Sequence, residues 1–303
     1  MNTPSPITIL DGGMGRELQR IGAPFRQPEW SALALIEAPE RVAEVHELFA
    51  AAGAQILTTN SYAVVPFHIG EDRFAAMGNV LADRAGAVAR GVADRYGINV
   101  AGSLPPTLGS YQPDLFDPVA GRAILKVLIE GLSPHVDFWL AETLSLLAEA
   151  QLVVDLLAGD SRPLWLSFTL DDALDSTGHA LLRSGETVAL AAEMARSSGV
   201  SALLFNCSYP EVMEAAVGEA VAVLGGSDIQ IGVYANGFGP APEGYSANEA
   251  VRDIRADLGP VNYLDWARRW VDAGASMVGG CCGIGPDHIA ALAQGLNQAR
   301  PIS

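Results

Sequence analysis

Cysteine is scarce in this chain, with three residues among 303. An odd and small number of cysteines excludes a scaffold held together by disulfides and suits a reducing compartment. No apolar run reaches the roughly 18 residues of a membrane-spanning helix. The N-terminus also lacks the basic segment and apolar stretch of a secretion signal. We therefore expect a soluble, cytoplasmic protein that makes no use of a membrane.

Positively charged residues are also few. The chain has 18 lysines and arginines and 35 aspartates and glutamates, which gives a formal net charge of −17. This imbalance opposes non-specific binding to nucleic acid or to anionic membranes and mildly favours cationic small molecules. Charged residues make up 17% of the chain and hydrophobic residues 50%. Such a composition allows a large core and argues against extended disorder. The oligomeric state is left open, and an oligomer is compatible with this composition.

Short apolar runs alternate with helical patterns along the whole chain. We predict strands at residues 7–10, 55–57, 98–101, 137–141, 163–168, 201–205, 229–233 and 275–278, with helices between them. Eight strand-then-helix units with no linker are typical of an α/β protein with a (β/α)₈ TIM barrel, here a single domain over residues 1–303. The alternative is an open doubly wound sheet, but such sheets usually have fewer strands.

Polar or reactive side chains follow the predicted strands. In a (β/α)₈ barrel the carboxyl ends of the strands share one face, on which active sites are built. We expect one cavity on that face, surrounded by Asp11, Thr59, Ser103, Glu142, Asn206, Cys207, Asn236, Cys281 and Cys282.

All three cysteines fall where predicted strands end, and Cys281 and Cys282 are neighbours between glycines. Their Cα atoms are about 3.8 Å apart, too close for an ordinary disulfide, which needs roughly 4.4 Å. The surrounding glycines permit a turn through which both thiols can converge. With Cys207, the three thiols resemble an open zinc site that leaves one position for water or substrate. The alternative is that the three cysteines are small buried hydrophobic residues.

Residues 11–15 contain three glycines directly after the first predicted strand. Such a segment can present backbone N–H groups to an anion. It matches neither the phosphate loop nor the dinucleotide fingerprint, so a nucleotide is not implied. The alternative is a tight turn from strand to helix.

These segments resemble, in order, those of the homocysteine S-methyltransferases, a zinc-dependent family with betaine-, S-methylmethionine- and cobalamin-dependent members. The matching segments are residues 11–15, 58–62, 142–143, 206–207 and 279–283, and the resemblance spans residues 7–298. Its most specific part is the combination of Asn-Cys with Gly-Gly-Cys-Cys-Gly.

The resemblance implies that Cys207, Cys281 and Cys282 bind Zn²⁺ and that homocysteine occupies the open position as a thiolate. A metal-bound thiol is deprotonated, and the thiolate would attack a methyl group to form methionine. The resemblance also implies that Glu142 binds the substrate amino group through a charge-assisted hydrogen bond.

Other substrate contacts follow from the same resemblance. The amides of Gly12 and Gly13 would receive the homocysteine carboxylate, with Asp11 and Thr59 nearby. Trp30 would line the donor cavity, where its aromatic face attracts a cation; packing in the core is the alternative. Asn206 is also predicted to bind substrate. The five histidines are interpreted as structural; for His68, which is predicted to lie in a loop on the catalytic face, contact with substrate is the alternative.

The methyl donor is expected to be a cation, because a sulfonium or quaternary ammonium leaves as a neutral group when a thiolate attacks. Sulfonium departs more readily than a tertiary amine, so S-methylmethionine is the first choice and betaine the second. Two other functions are kept open. One is a metallohydrolase that activates zinc-bound water, although three thiolates make the metal a poor Lewis acid. The other is a redox or zinc-storage protein that uses the thiols alone.

Overall fold

The computed structural model describes residues 6–239 and 253–297, and the apolar runs form one parallel sheet. Its strands are β1 (Thr8–Ile9), β2 (Ile56–Thr58), β3 (Asn99–Leu104), β4 (Phe138–Leu144), β5 (Leu164–Phe168), β6 (Ala202–Asn206), β7 (Gln230–Tyr234) and β8 (Met277–Val278). Strands that are consecutive in the chain are neighbours from β2 to β8, and β8 also pairs with β1.

Gln55 connects the first and second strands, which share no strand ladder. Its backbone N–H donates to the Ile9 carbonyl oxygen at 2.8 Å, and its side-chain oxygen accepts from the Ile9 N–H at 2.9 Å. One glutamine thus makes hydrogen bonds that a strand pair would otherwise supply. The (β/α)₈ barrel predicted from the sequence is confirmed, and the open doubly wound sheet is wrong.

Helices surround the sheet. They are α1 (Met14–Arg20), α2 (Ser31–Glu37), α3 (Pro39–Ala51), α4 (Pro66–Ile69), α5 (Glu71–Tyr96), α6 (Pro118–Leu132), α7 (Leu147–Leu156), α8 (Val188–Ser197), α9 (Pro210–Leu224), α10 (Pro260–Ala273) and α11 (Pro286–Asn297). Six of them begin with proline, which lacks the N–H that a first helical turn leaves unpaired. Within the described ranges, no helix is both long and apolar enough to cross a membrane.

The core has two layers. The larger one lies between the helices and the outside of the barrel. The smaller one fills the barrel interior, where the Phe138 and Trp165 rings pack at an angle of 35° with their centroids 4.2 Å apart, beside Leu204 and Met277. Because this interior layer fills the barrel, a ligand can reach only the side chains at the carboxyl ends of the strands.

Strand β4 runs three residues further than predicted. Its pairing with β5 shifts register between Ala141 and Leu144, and the intervening Thr143 has a φ of 60°. The two polar residues Glu142 and Thr143 interrupt the apolar run, and the pattern therefore predicted that the strand ends before them. In the structure the strand continues through a local irregularity in its pairing with β5. Glu142 therefore projects from within a strand.

Candidate active site

The carboxyl ends of the strands enclose one cavity of about 190 Å³. The structure brings most of the predicted site residues to its wall, namely Asp11, Gly12, Gly13, Trp30, Thr59, Glu142, Cys207, Cys281 and Cys282. Ser103, Asn206 and Asn236 are buried behind that wall and do not line it.

The three cysteine sulfurs meet at the cavity wall, all within 4.8 Å of one another. Cys207 and Cys281 are in disulfide contact with their Cα atoms 5.5 Å apart, and the Cys207 and Cys282 sulfurs are 3.9 Å apart. Tetrahedral zinc with Zn–S bonds of about 2.3 Å holds two sulfurs roughly 3.8 Å apart. The spacing to Cys282 therefore fits zinc, whereas Cys207 and Cys281 must be reduced and separate before all three can be ligands.

The Cys281-Cys282 turn is held by the ends of the flanking strands. The Gly280 N–H donates to the Asp11 carbonyl oxygen at 3.0 Å, and the Cys281 N–H donates to that of Ala235 at 2.9 Å. The sulfurs after β8 are thereby fixed between the ends of β1 and β7.

Gly12 and Gly13 allow the loop after β1 to approach this turn. A Cβ atom on Gly12 would lie 2.4 Å from the Ile284 carbonyl oxygen, and one on Gly13 would lie 2.4 Å from that of Cys281. The Gly13 N–H already donates to the Ile284 carbonyl oxygen at 2.9 Å. Of the two amides predicted to receive a carboxylate, the Gly12 N–H is the one without an acceptor among the residues described.

Glu142 is buried and accepts two hydrogen bonds from neutral side chains. The Ser103 hydroxyl donates to one carboxylate oxygen, and the Tyr234 hydroxyl donates to the other at 3.2 Å. Burial raises the pKa of Glu142, and these two hydrogen bonds oppose that rise. A substrate ammonium beside Glu142 would add a positive charge next to a carboxylate whose two described side-chain partners are neutral hydroxyl groups.

Asp11 is a second buried carboxyl group in the same cavity. Its oxygens accept from the Thr58 N–H at 2.7 Å and from the Thr58 hydroxyl at 2.9 Å. Burial nevertheless raises the pKa of Asp11 to about 7, and the charge of Glu142 contributes in the same direction. Two carboxyl groups with raised pKa values make the cavity a favourable place for a cation.

Thr59 and Asn206 use their polar atoms within the protein. The Thr59 hydroxyl accepts the Ser103 N–H at 3.0 Å and shares a hydrogen bond with the Ser61 hydroxyl. The Asn206 amide is fully buried, and its partners within the described residues are side chains and backbone on β4 and β5. Of the two, only Thr59 lies on the cavity wall.

Aromatic residues form another part of the wall. Trp30 is half-buried and meets Phe25 edge to face, with ring centroids 5.7 Å apart. Tyr62 and His68 also line the cavity. The His68 Nδ1 atom lies 3.1 Å from the carbonyl oxygen of Pro28, two residues before Trp30. The sequence analysis treated His68 as structural and left contact with substrate open, because a loop on the catalytic face was predicted there. The structure places His68 in helix α4, on this wall.

Backbone strain is concentrated at this cavity. Among the residues described, four non-glycine residues have a positive φ, and every one lines the cavity: Trp30, Tyr111, Thr143 and Cys207. Such conformations are unfavourable and cluster at functional sites, where the surrounding structure enforces them.

Residues 8–296 match the model of the family described as homocysteine S-methyltransferase. The chain belongs to this family. The homocysteine S-methyltransferase of Escherichia coli (strain K12) is 31% identical over 310 residues, which cover 94% of each chain. A selenocysteine methyltransferase of Astragalus bisulcatus is 27% identical over 318 residues, covering 93% of this chain and 90% of that protein.

Solved structures agree with this membership. The metallated form of the homocysteine methyltransferase MmuM from Escherichia coli superposes with a TM-score of 0.76 at 27% identity, covering 96% of both chains. The oxidized form of that protein gives a TM-score of 0.75 at 27% identity. The chain is thus a homocysteine S-methyltransferase, and its cysteine cluster is a group that can hold a metal ion.

Proposed function

We propose that this homocysteine S-methyltransferase carries a methyl group from a cationic donor to homocysteine and forms methionine, with Zn²⁺ held by Cys207, Cys281 and Cys282. The observation that carries the proposal is that the three sulfurs share one cavity with the buried carboxyl groups of Glu142 and Asp11. Zinc, when bound, would keep the homocysteine sulfur deprotonated at neutral pH. The thiol proton would then be released to solvent as the substrate binds.

The carboxyl groups orient the other end of homocysteine. Glu142 accepts a charge-assisted hydrogen bond from the ammonium group, and the nearby charge of Asp11 adds to the attraction. The Gly12 N–H is the remaining candidate for the substrate carboxylate. Asn206 is assigned to positioning, because its amide bonds only to protein groups.

The aromatic wall is proposed as the donor side. Trp30 and Tyr62 offer ring faces to a sulfonium or quaternary ammonium, and S-methylmethionine is proposed ahead of betaine. Both donors also carry a carboxylate, and Arg16 is the one arginine or lysine in the described cavity lining. With S-methylmethionine, a sulfonium C–S bond breaks as the new C–S bond forms, so each turnover yields two molecules of methionine.

The test is methionine formation from homocysteine by the zinc-loaded protein. S-methylmethionine, S-adenosylmethionine, betaine and methylcobalamin are compared at equal concentration, with and without a chelator. We expect the highest rate with S-methylmethionine and loss of the rate when zinc is removed. Activity with methylcobalamin alone would overturn the cationic donor, and the absence of methionine with every donor would overturn the proposed acceptor.

The proposed location is the cytoplasm. Zinc binding requires that all three cysteines be reduced, and two of them lie in disulfide contact. A reducing compartment keeps such thiols available as ligands. Immunodetection of the protein in fractionated cells would test this location directly.

A further inference from the structure

The side chain of Asn206 connects three strands inside the barrel. Its Oδ1 atom accepts the Thr143 N–H at 3.0 Å and the Ser167 hydroxyl at 2.7 Å, and its amide nitrogen donates to the Thr143 hydroxyl at 2.8 Å. Asn206 stands at the end of β6, Ser167 on β5 and Thr143 on β4. Asn206, which precedes Cys207, is thus hydrogen-bonded to Thr143, which follows Glu142.

Tyr234 makes a second connection between the same two functional residues. Its carbonyl oxygen accepts the Cys207 N–H at 3.2 Å, and its hydroxyl donates to the Glu142 carboxylate at 3.2 Å. The route through Tyr234 on β7 is independent of the route through Asn206 on β6. Glu142 and Cys207 are therefore tied together from two sides.

Both ends of this connection have strained backbones. Thr143 has a φ of 60° and Cys207 a φ of 53°, in a region that non-glycine residues adopt only when their surroundings hold them there. Asn206 holds Thr143 by both its backbone N–H and its hydroxyl. All of these groups are buried, with at most 7% exposure, so solvent does not compete for the hydrogen bonds.

We propose that Asn206 and Tyr234 are positioning residues that fix the separation between the Glu142 carboxylate and the Cys207 sulfur, so that the site selects amino-thiol substrates by chain length. This inference rests on the proposed function, in which Glu142 binds the ammonium and the thiol joins the cysteine cluster. Cysteine is one methylene shorter than homocysteine. With its ammonium on Glu142, its sulfur falls short by up to about 1.5 Å, the length of one C–C bond, and misplacement on this scale can lower a rate about 100-fold.

The experiment compares homocysteine and cysteine as acceptors, with the same donor, in the zinc-loaded protein and its Tyr234→Phe and Asn206→Ala variants. We expect each variant to keep one zinc per chain. We also expect the KM for homocysteine to rise in both variants, and roughly tenfold in Tyr234→Phe, which loses a hydrogen bond to the Glu142 carboxylate. The preference for homocysteine over cysteine, as the ratio of kcat/KM values, should fall by a similar factor.

Thr169→Val is the matched control. Its hydroxyl is also buried at a strand end and bonds to the Ser208 hydroxyl at 3.1 Å, a pair that links β5 to the loop after β6 without reaching β4. The control should keep both the KM and the acceptor preference.

Three results would overturn the inference. They are an unchanged acceptor preference in folded Tyr234→Phe with normal zinc content, loss of zinc in that variant, or an equal loss of preference in the control. If Asn206→Ala fails to fold, Tyr234→Phe, which keeps the ring, decides the matter alone. Absence of methionine formation by the unaltered protein would instead refute the proposed function.

Discussion

At the scale of single residues, Glu142 offers the sharpest separation of substrate binding from metal binding. Glu142→Gln keeps the shape of the side chain and removes its charge. A charge-assisted hydrogen bond is worth about 1.5–3 kcal/mol, so we expect homocysteine to bind roughly tenfold more weakly or worse. Zinc content should not change. Titration of homocysteine binding and elemental analysis together check both parts.

Glu149→Gln serves as the control for that variant. Glu149 is also a buried glutamate, but it accepts the Ser145 N–H at the start of α7 and lies outside the cavity lining. Its replacement should affect stability more than homocysteine binding. Loss of zinc from Glu142→Gln would show that Glu142 supports the metal site and that its assignment to the substrate is wrong.

Asp11 predicts a pH dependence of ligand binding. Its pKa is raised to about 7, so the side chain is mostly neutral at pH 6 and mostly charged at pH 8. An ammonium ligand favours the charged form, and its affinity should rise with pH through about 7 and then level off. Methionine is the appropriate probe because it has the same ammonium group and no thiol to titrate. In Asp11→Asn the affinity measured calorimetrically should rise less with pH than in the unaltered protein, because only the Glu142 carboxyl group still titrates in the cavity. An equal rise in the two proteins would contradict the role of Asp11.

Sequence patterns identified the reactive residues better than the residues that position them. Cys281 and Cys282 stand out because adjacent cysteines between glycines have few structural uses. Asn206 was predicted to touch substrate, yet it bonds to Thr143 and Ser167, which lie 63 and 39 residues earlier. Such long-range hydrogen bonds depend on which strands become neighbours, and that cannot be read from a local motif.

At the scale of elements, the loop after β1 and the turn after β8 form one unit. The strands themselves were predictable because short apolar runs recur between helical patterns. The reason for the glycines after β1 was not predictable from the sequence. Glycines that allow close approach to a segment about 270 residues later look the same in the sequence as glycines that form a tight turn. Gly13 has a φ of −75°, a conformation open to any residue, so its requirement for glycine comes from contact with Cys281.

Gly13→Ala therefore tests the connection between the two elements. The added Cβ would lie 2.4 Å from the Cys281 carbonyl oxygen and must displace the cysteine turn. Overpacking of this kind costs about 1–3 kcal/mol, which would weaken zinc binding roughly tenfold to a hundredfold in a competition with a chromogenic chelator. Gly285→Ala is the control, because its nearest neighbour is a Glu17 carboxylate oxygen at 3.4 Å. Equal zinc affinities in the two variants would contradict the connection.

At the scale of the whole molecule, the metal site joins two distant parts of the barrel. Cys207 follows β6, and Cys281 and Cys282 follow β8. The barrel is held by its two core layers, so removing one ligand should leave it folded. We expect Cys282→Ala to lose both zinc and activity while its circular dichroism spectrum is unchanged. Near-normal zinc content in this variant would rule out the three-cysteine site.

Removal of zinc should leave the cysteines of this metal site open to oxidation. Under air, a chelated sample should form the Cys207–Cys281 disulfide, and the thiol count per denatured chain should fall from three to one. The cross-link spans 74 residues, and restricting an unfolded chain over this length stabilises the folded state by up to about 4 kcal/mol. The oxidised, zinc-free protein should therefore unfold at a higher denaturant concentration than the reduced, zinc-free protein. Cys207→Ala should show no such difference, and equal midpoints for the oxidised and reduced forms of the unaltered protein would refute a stabilising cross-link.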